Sequence, residues 1–185
     1  PGAHATVWTY IPADLTRQGN VYLKPEAATS LTEMLEEYHR VMDEDKVEAE
    51  TGYLRFDEAQ SLYLDVNNDL LVYPAGQNEQ QLGWTAALTG HAAWMSAMKT
   101  LLSDPAFTGT PVEAARNVYD GLSEQEQERI QWLQDNAWRY GFIIRWPETG
   151  QESTGHVWQP FMIRYVGQEK ARDLHAADRT LEESQ

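Results

Sequence analysis

Apolar positions along this chain recur with two different periods, which divide it into helices and short strands. Leu31, Met34, Leu35, Tyr38, Val41 and Met42 repeat at helical spacing behind Pro25-Glu26, predicting a helix with one buried face. The acidic run Asp43-Glu44-Asp45 should end it as a solvated turn. Asp57 to Asp65 reads as a second helix with Asp57 as its N-cap. Ala86 to Leu102 reads as a third, with Met95, Met98 and Leu102 on one side. Thr110-Pro111 starts a short helix. Ser123-Glu124-Gln125-Glu126 has the form of a capping box, followed by a stripe of Ile130, Leu133, Ala137 and Tyr140 that Gly141 stops.

Shorter runs read as extended chain. Leu70 to Tyr73 is a strand-type run closed by Pro74 and Gly76. Phe142 to Trp146 is a strand ended by Pro147, and Phe161 to Val166 returns beside it after a polar turn over Glu148 to Gly155. Tyr10 to Leu23 gives irregular or short extended pieces, and Thr51-Gly52-Tyr53 a turn. Gln168 to Ala177 is a closing helix before an acidic tail expected to fray. This mixture predicts an α+β fold, a small antiparallel sheet flanked by helices. At 185 residues without an internal repeat, the chain is expected to be one domain, 1–185.

Composition narrows the partners. Hydrophobic residues make up 42% of the chain, with seven Trp and nine Tyr, so it has the means to form a core. Fourteen basic against 29 acidic residues leave a net charge of −15, which repels nucleic acid and other polyanions. The absence of cysteine excludes disulfides and thiolate metal sites. No apolar run approaches the ~20 residues needed to span a bilayer, so no membrane insertion is expected within this fragment. The start at Pro1 suggests a processed or trimmed piece.

Local motifs name no chemistry. His4, His39, His91, His156 and His175 form no His-x-His or His-x-x-x-His pair, and no nucleophile elbow or phosphate-cradling glycine loop occurs. Trp94, Trp132, Trp138 and Trp146 sit among apolar neighbours, as core or cleft-wall residues would. The residues by themselves describe a soluble acidic α+β domain.

Longer segments carry a resemblance. Trp158-Gln159-Pro160-Phe161-Met162-Ile163-Arg164-Tyr165-Val166-Gly167 resembles Glu-Pro-Trp-His-x-Arg-Tyr-Val-Gly, the closing motif of the VanY-type D-alanyl-D-alanine carboxypeptidases, which are zinc peptidases. The run from Asn136 to Pro147 is similar to that family's Asn-Ala-x-x-Tyr-Gly-Phe-Ile-x-Arg-Tyr-Pro. Tyr10 to Leu15, Leu23 to Ala28, Thr154-Gly155 and Thr180 to Glu183 also look like family segments. The resemblance implies a VanY/hedgehog-like zinc peptidase fold, with a helical insertion at about 90–122 in this chain.

It also implies where the chemistry should be, and those positions are changed. The family's general-base Glu falls on Gln159 and its zinc-binding His on Met162. Its other metal motif, Ser-x-His-Gln-x-Gly-x-Ala-x-Asp, aligns with Asn78 to Ala87, placing the His ligand at Gln80 and the Asp ligand at Ala87. An amide is a weak neutral donor, a thioether is soft and a methyl donates nothing. The family's zinc is therefore expected to be absent, with no cofactor in its place. The carboxylate-binding Arg of Ser-Gly-Tyr-Arg meets Leu54, with Arg55 adjacent, and a following Gln meets Ala59, with Gln60 adjacent.

Arg55, Gln60, Gln80, Trp84, Gln159, Arg164 and Tyr165 are thus the candidate cleft or ligand-binding residues. The expected function is a catalytically degenerate, non-catalytic module of a bacterial exported or surface protein. Its expected partner is a peptidoglycan stem peptide or a cell-wall protein, outside the cytoplasm. Two rivals remain: an active metallopeptidase with a relocated metal, using His91 or His156, and a purely structural protein-interaction domain.

Overall fold

A computed structural model describes residues 10–44 and 46–184; Pro1, His4 and Asp45 lie outside the described residues. The described chain opens with a hairpin of β1 (Thr16–Gln18) and β2 (Val21–Leu23), turned at Gly19. Helix α1 (Pro25–Met42) follows, with Pro25 in its first turn and Asp43 in the left-handed region at its end. Its buried stripe is Ala27, Ala28, Leu31, Met34, Leu35 and Tyr38, whereas Val41, expected in that stripe, is exposed. Strand β3 (Ala49–Thr51) and helix α2 (Phe56–Val66) come next. Strand β4 (Thr85–Leu88) leads into α3 (His91–Ser103), α4 (Pro111–Asp120) and α5 (Glu124–Asn136). Strand β5 (Phe142–Trp146), the short α6 (Gln151–Thr154), β6 (Gln159–Tyr165) and α7 (Gln168–Ala177) complete the order.

The main sheet runs β3-β4-β6-β5 and is antiparallel throughout, as an α+β reading requires. Alternation along its two central strands assigns the faces. Ala86 and Leu88 of β4, with Phe161 and Ile163 of β6, join the main core around Leu31, Met34, Trp94 and Phe142. Ala87 and Met162 are paired across the two strands and join a small separate cluster with Trp146 and Tyr73. One sheet face therefore holds the domain together, and the other carries the candidate site.

A register irregularity shapes that second face. Ile144 of β5 pairs with Ile163, but Trp146, two residues on, pairs with Gln159, four residues back along β6. The extra residues of β6 break strict alternation, and Pro160, which has no N–H to give the ladder, lies within them. As a result Gln159 and Met162, three apart, both line one cleft.

Several sequence expectations are corrected. Leu70 to Tyr73 is no strand: Leu71 and Val72 both donate to Asn68 O, closing a turn, while Leu70 O accepts from Val157 N–H. The helix expected over Ala86 to Leu102 is a strand and then a helix. Its alanines pair with β3 and β6, overriding their helical propensity, and Gly90 at φ +106° separates the two elements. Asp57 is not the N-cap of α2; the helix starts at Phe56, and Glu58 accepts the Arg55 backbone N–H. The Glu148 to Gly155 turn contains α6. The acidic tail is docked through Ser184, with Glu182 on Arg145 and Glu183 accepting from Thr180.

Candidate ligand-binding cleft

Against the outer face of the sheet lies a cavity of about 660 Å³. Its floor is Thr85 and Met162, with Trp146, His156 and Gln159 continuing along it. One wall comes from β3 and α2 through Glu50, Thr51, Leu62 and Val66, and another from α3 through His91, Met95, Ser96 and Lys99. Segment 90–122, expected to be inserted, thus contributes twice: Trp94 and Met98 are buried in the core, while the other side of α3 faces the cleft.

The four positions where the resemblance puts catalytic groups are brought together but engaged in packing. Gln80 is buried, and its amide Nε2 donates to Thr51 Oγ1 (2.9 Å) and Gly52 O (3.1 Å). Ala87 is fully buried and touches Met162 and Trp146 in the small apolar cluster. Gln159 is 1% exposed, and its Nε2 donates to Leu71 O at 2.8 Å. Tyr73 and Trp146 hold the His156 ring between them, with centroids at 4.0 and 4.1 Å.

This donor set does not fit zinc. A hydrolytic zinc takes imidazole or carboxylate ligands with an open position for water. Here the three places offer an amide whose N–H groups are already committed, a methyl and a thioether. Among the described residues no group of three or more His, Cys, Asp or Glu side chains is placed to hold a metal ion. At the base position, a carboxamide can orient a water but cannot take its proton near neutral pH.

Charges at the cleft are compensated within the fold. Glu79 accepts from two nitrogens of Arg145, each at 2.7 Å, and pairs with Arg164 at 2.6 Å, and Arg145 also binds Glu182 at 2.6 Å. Burial pushes the Glu79 carboxyl up, but the two guanidiniums outweigh it and hold it down to about 2. Glu50 accepts the backbone N–H groups of Gly90 and Ala92, capping α3 with a carboxylate. Asp65 pairs with Lys99. Burial holds the His91 imidazole down to about 4, so it is neutral at ordinary pH.

The remaining candidates fall elsewhere. Arg55 is exposed, bound to Asp57 and Glu58, and does not line the cleft. Gln60 does not line it either. Trp84, Arg164 and Tyr165 line a second, shallower depression, where Trp84 stacks on Tyr165 at 5.9 Å. Trp94, Trp132 and Trp146 are buried, whereas Trp138 is half-buried and stacks on His175. Sequence reading missed Thr85, Glu79 and Tyr73 as cleft residues. Only the alternation of β4 would have pointed to Thr85, and that strand was read as helix.

The sheet and its cleft define the class first: an α+β domain whose antiparallel sheet opens one face onto a ligand-sized cleft. The family profile for VanY, D-alanyl-D-alanine carboxypeptidase, matches residues 20–168, and the chain belongs to that family. A D-alanyl-D-alanine carboxypeptidase of Enterococcus faecium is 29% identical over 157 residues, 80% of this chain and 39% of its own length. A Bacillus subtilis protein classed with the carboxypeptidases, YodJ, is 27% identical over 162 residues, 88% of this chain and 53% of its own. The chain thus spans about half the length, or less, of these curated relatives. Among solved structures, VanYB in complex with D-alanine-D-alanine superposes with a TM-score of 0.69 at 19% identity, covering 97% of this chain and 91% of that one. The LdcB LD-carboxypeptidase, described for peptidoglycan recognition, gives 0.68 at 24% identity, covering 95% and 78%. These two establish the fold.

Proposed function

We propose that this domain is a catalytically degenerate member of its family. It works outside the bacterial cytoplasm, binding peptidoglycan stem peptides or regulating a wall enzyme without cleaving peptide bonds. The observation that supports the reading is the packing of four side chains at the positions where the resemblance expects metal ligands and base. Gln80, Ala87 and Met162 stand where ligands are expected, and Gln159 stands where the base is expected. Each is tied into the fold by hydrogen bonds or apolar contacts rather than left as a vacant ligand position. The cleft nonetheless remains open and large enough for a peptide end, within the usual range for small-ligand sites.

Family membership and the relative solved with D-alanine-D-alanine support a peptide ligand. A ligand that binds only the folded state must raise its stability, by about 2.7 kcal/mol at a hundredfold excess over Kd. Thermal denaturation with cross-linked muropeptides should therefore show a concentration-dependent rise, while no D-alanine is released from stem pentapeptides on long incubation. Release of D-alanine, abolished by a chelator, would replace this reading with an active peptidase whose metal has moved.

A further inference from the structure

Three side chains lining the cleft each carry a buried polar atom with no protein partner among the described residues: Gln159 Oε1, Thr85 Oγ1 and His91 Nδ1. Gln159 is 1% exposed and Thr85 2%, so neither is an ordinary surface group that water satisfies freely. Buried polar atoms are rarely left without a partner, and here all three belong to residues lining the same cavity. Because Gln159 Nε2 is committed to Leu71 O, its Oε1 presents a fixed acceptor and calls for an N–H or O–H on a ligand. The Thr85 hydroxyl can give or take one hydrogen bond.

The two sites are separated along the floor. Thr85 lies opposite Arg164 on β6 and Ala87 opposite Met162, with Gln159 three residues beyond Met162. Polar contacts thus flank an apolar middle. A carboxylate chain end meets no free cation here among the described residues. Glu79 already consumes Arg145 and Arg164, Lys99 is paired with Asp65, and Arg55 lies outside the cleft. The other ionised groups on the walls, Glu50 and Asp65, are acidic. A carboxylate entering this space would be desolvated beside like charges, and among the described residues the only Lys or Arg lining it, Lys99, already has an acidic partner.

We infer that the cleft selects peptide ligands that bring no carboxylate into it, entering as a carboxamide end or an internal stretch of chain. A free C-terminal carboxylate is excluded. Amide N–H groups supply the donor that Gln159 Oε1 requires, and amide carbonyls an acceptor for Thr85. This rests on the reading of the cleft as a peptide site and adds which chain ends it accepts.

Calorimetric titration with an acetylated tripeptide ending in D-Ala-D-Ala, as the free acid and as the carboxamide, tests it. The carboxamide should bind at least about tenfold more tightly. Gln159→Leu should weaken carboxamide binding and bring the two affinities together; if that variant fails to fold, Thr85→Val should weaken carboxamide binding in its place. Equal or tighter binding of the free acid overturns the inference while leaving a peptide-binding domain standing. Binding of neither peptide overturns the inference and the peptide-site reading together.

Discussion

Two guanidiniums facing one buried carboxylate set the residue-scale energetics at the cleft. Arg145 is almost wholly enclosed, and deleting its charge leaves Glu79 with Arg164 alone and Glu182 without its partner. Breaking a buried pair strands a charge, so Arg145→Met should lower unfolding stability by about 3 kcal/mol in denaturant titration. The sign of the pH dependence follows from Glu79. Its folded pKa, about 2, lies below the ordinary 4.5, so the stabilisation is present above 4.5 and is lost as pH falls towards 2. Across that window roughly 3 kcal/mol should disappear, and Glu79→Gln should flatten this part of the acid limb. The positions where the resemblance expects ligands permit a restoration experiment. Gln80→His, Ala87→Asp and Met162→His together should give a domain less stable without metal, since a carboxylate enters an apolar cluster, and stabilised by added zinc. Unfolding midpoints with and without zinc check this.

At the scale of elements, what could be read in advance was whatever local chemistry controls. Pro25 and the α1 stripe, the Ser123 capping box with Glu126, and Gly141 as a stop are all in place. The misreadings are elements whose form depends on distant partners. The alanine-rich β4 is a strand because β3 and β6 flank it; Leu70 to Tyr73 is the exception, a turn closed locally by Asn68. The site divided in the same way. Motif spacing brought Gln80, Ala87, Gln159 and Met162 to one place, whereas Arg55 and Gln60 lie away from it and Thr85 was missed. Gly141 gives a test of an element boundary. Its φ is +80°, and a Cβ there would lie 2.7 Å from Tyr165 Cε2, on the strand whose ring stacks with Trp84. Gly141→Ala should cost about 2 kcal/mol, measured by thermal unfolding.

For the whole molecule, the division of labour between the sheet faces would let the site change while the fold persists. Leu88, Phe161 and Ile163 hold the helices from one face, so substitutions at Ala87 and Met162 on the other leave the main core untouched. The surface charge of −15 adds a general bias against anionic partners to the local one in the cleft. Among the described residues no helix is long and apolar enough to cross a membrane. The central claim, that this VanY-family domain has exchanged its metal chemistry for a peptide-binding cleft, is met most directly by elemental analysis. Protein folded in zinc-supplemented medium and passed through desalting should carry zinc far below one ion per chain, and chelator should leave its unfolding midpoint unchanged. One zinc per chain, whose removal lowers that midpoint, would contradict the account.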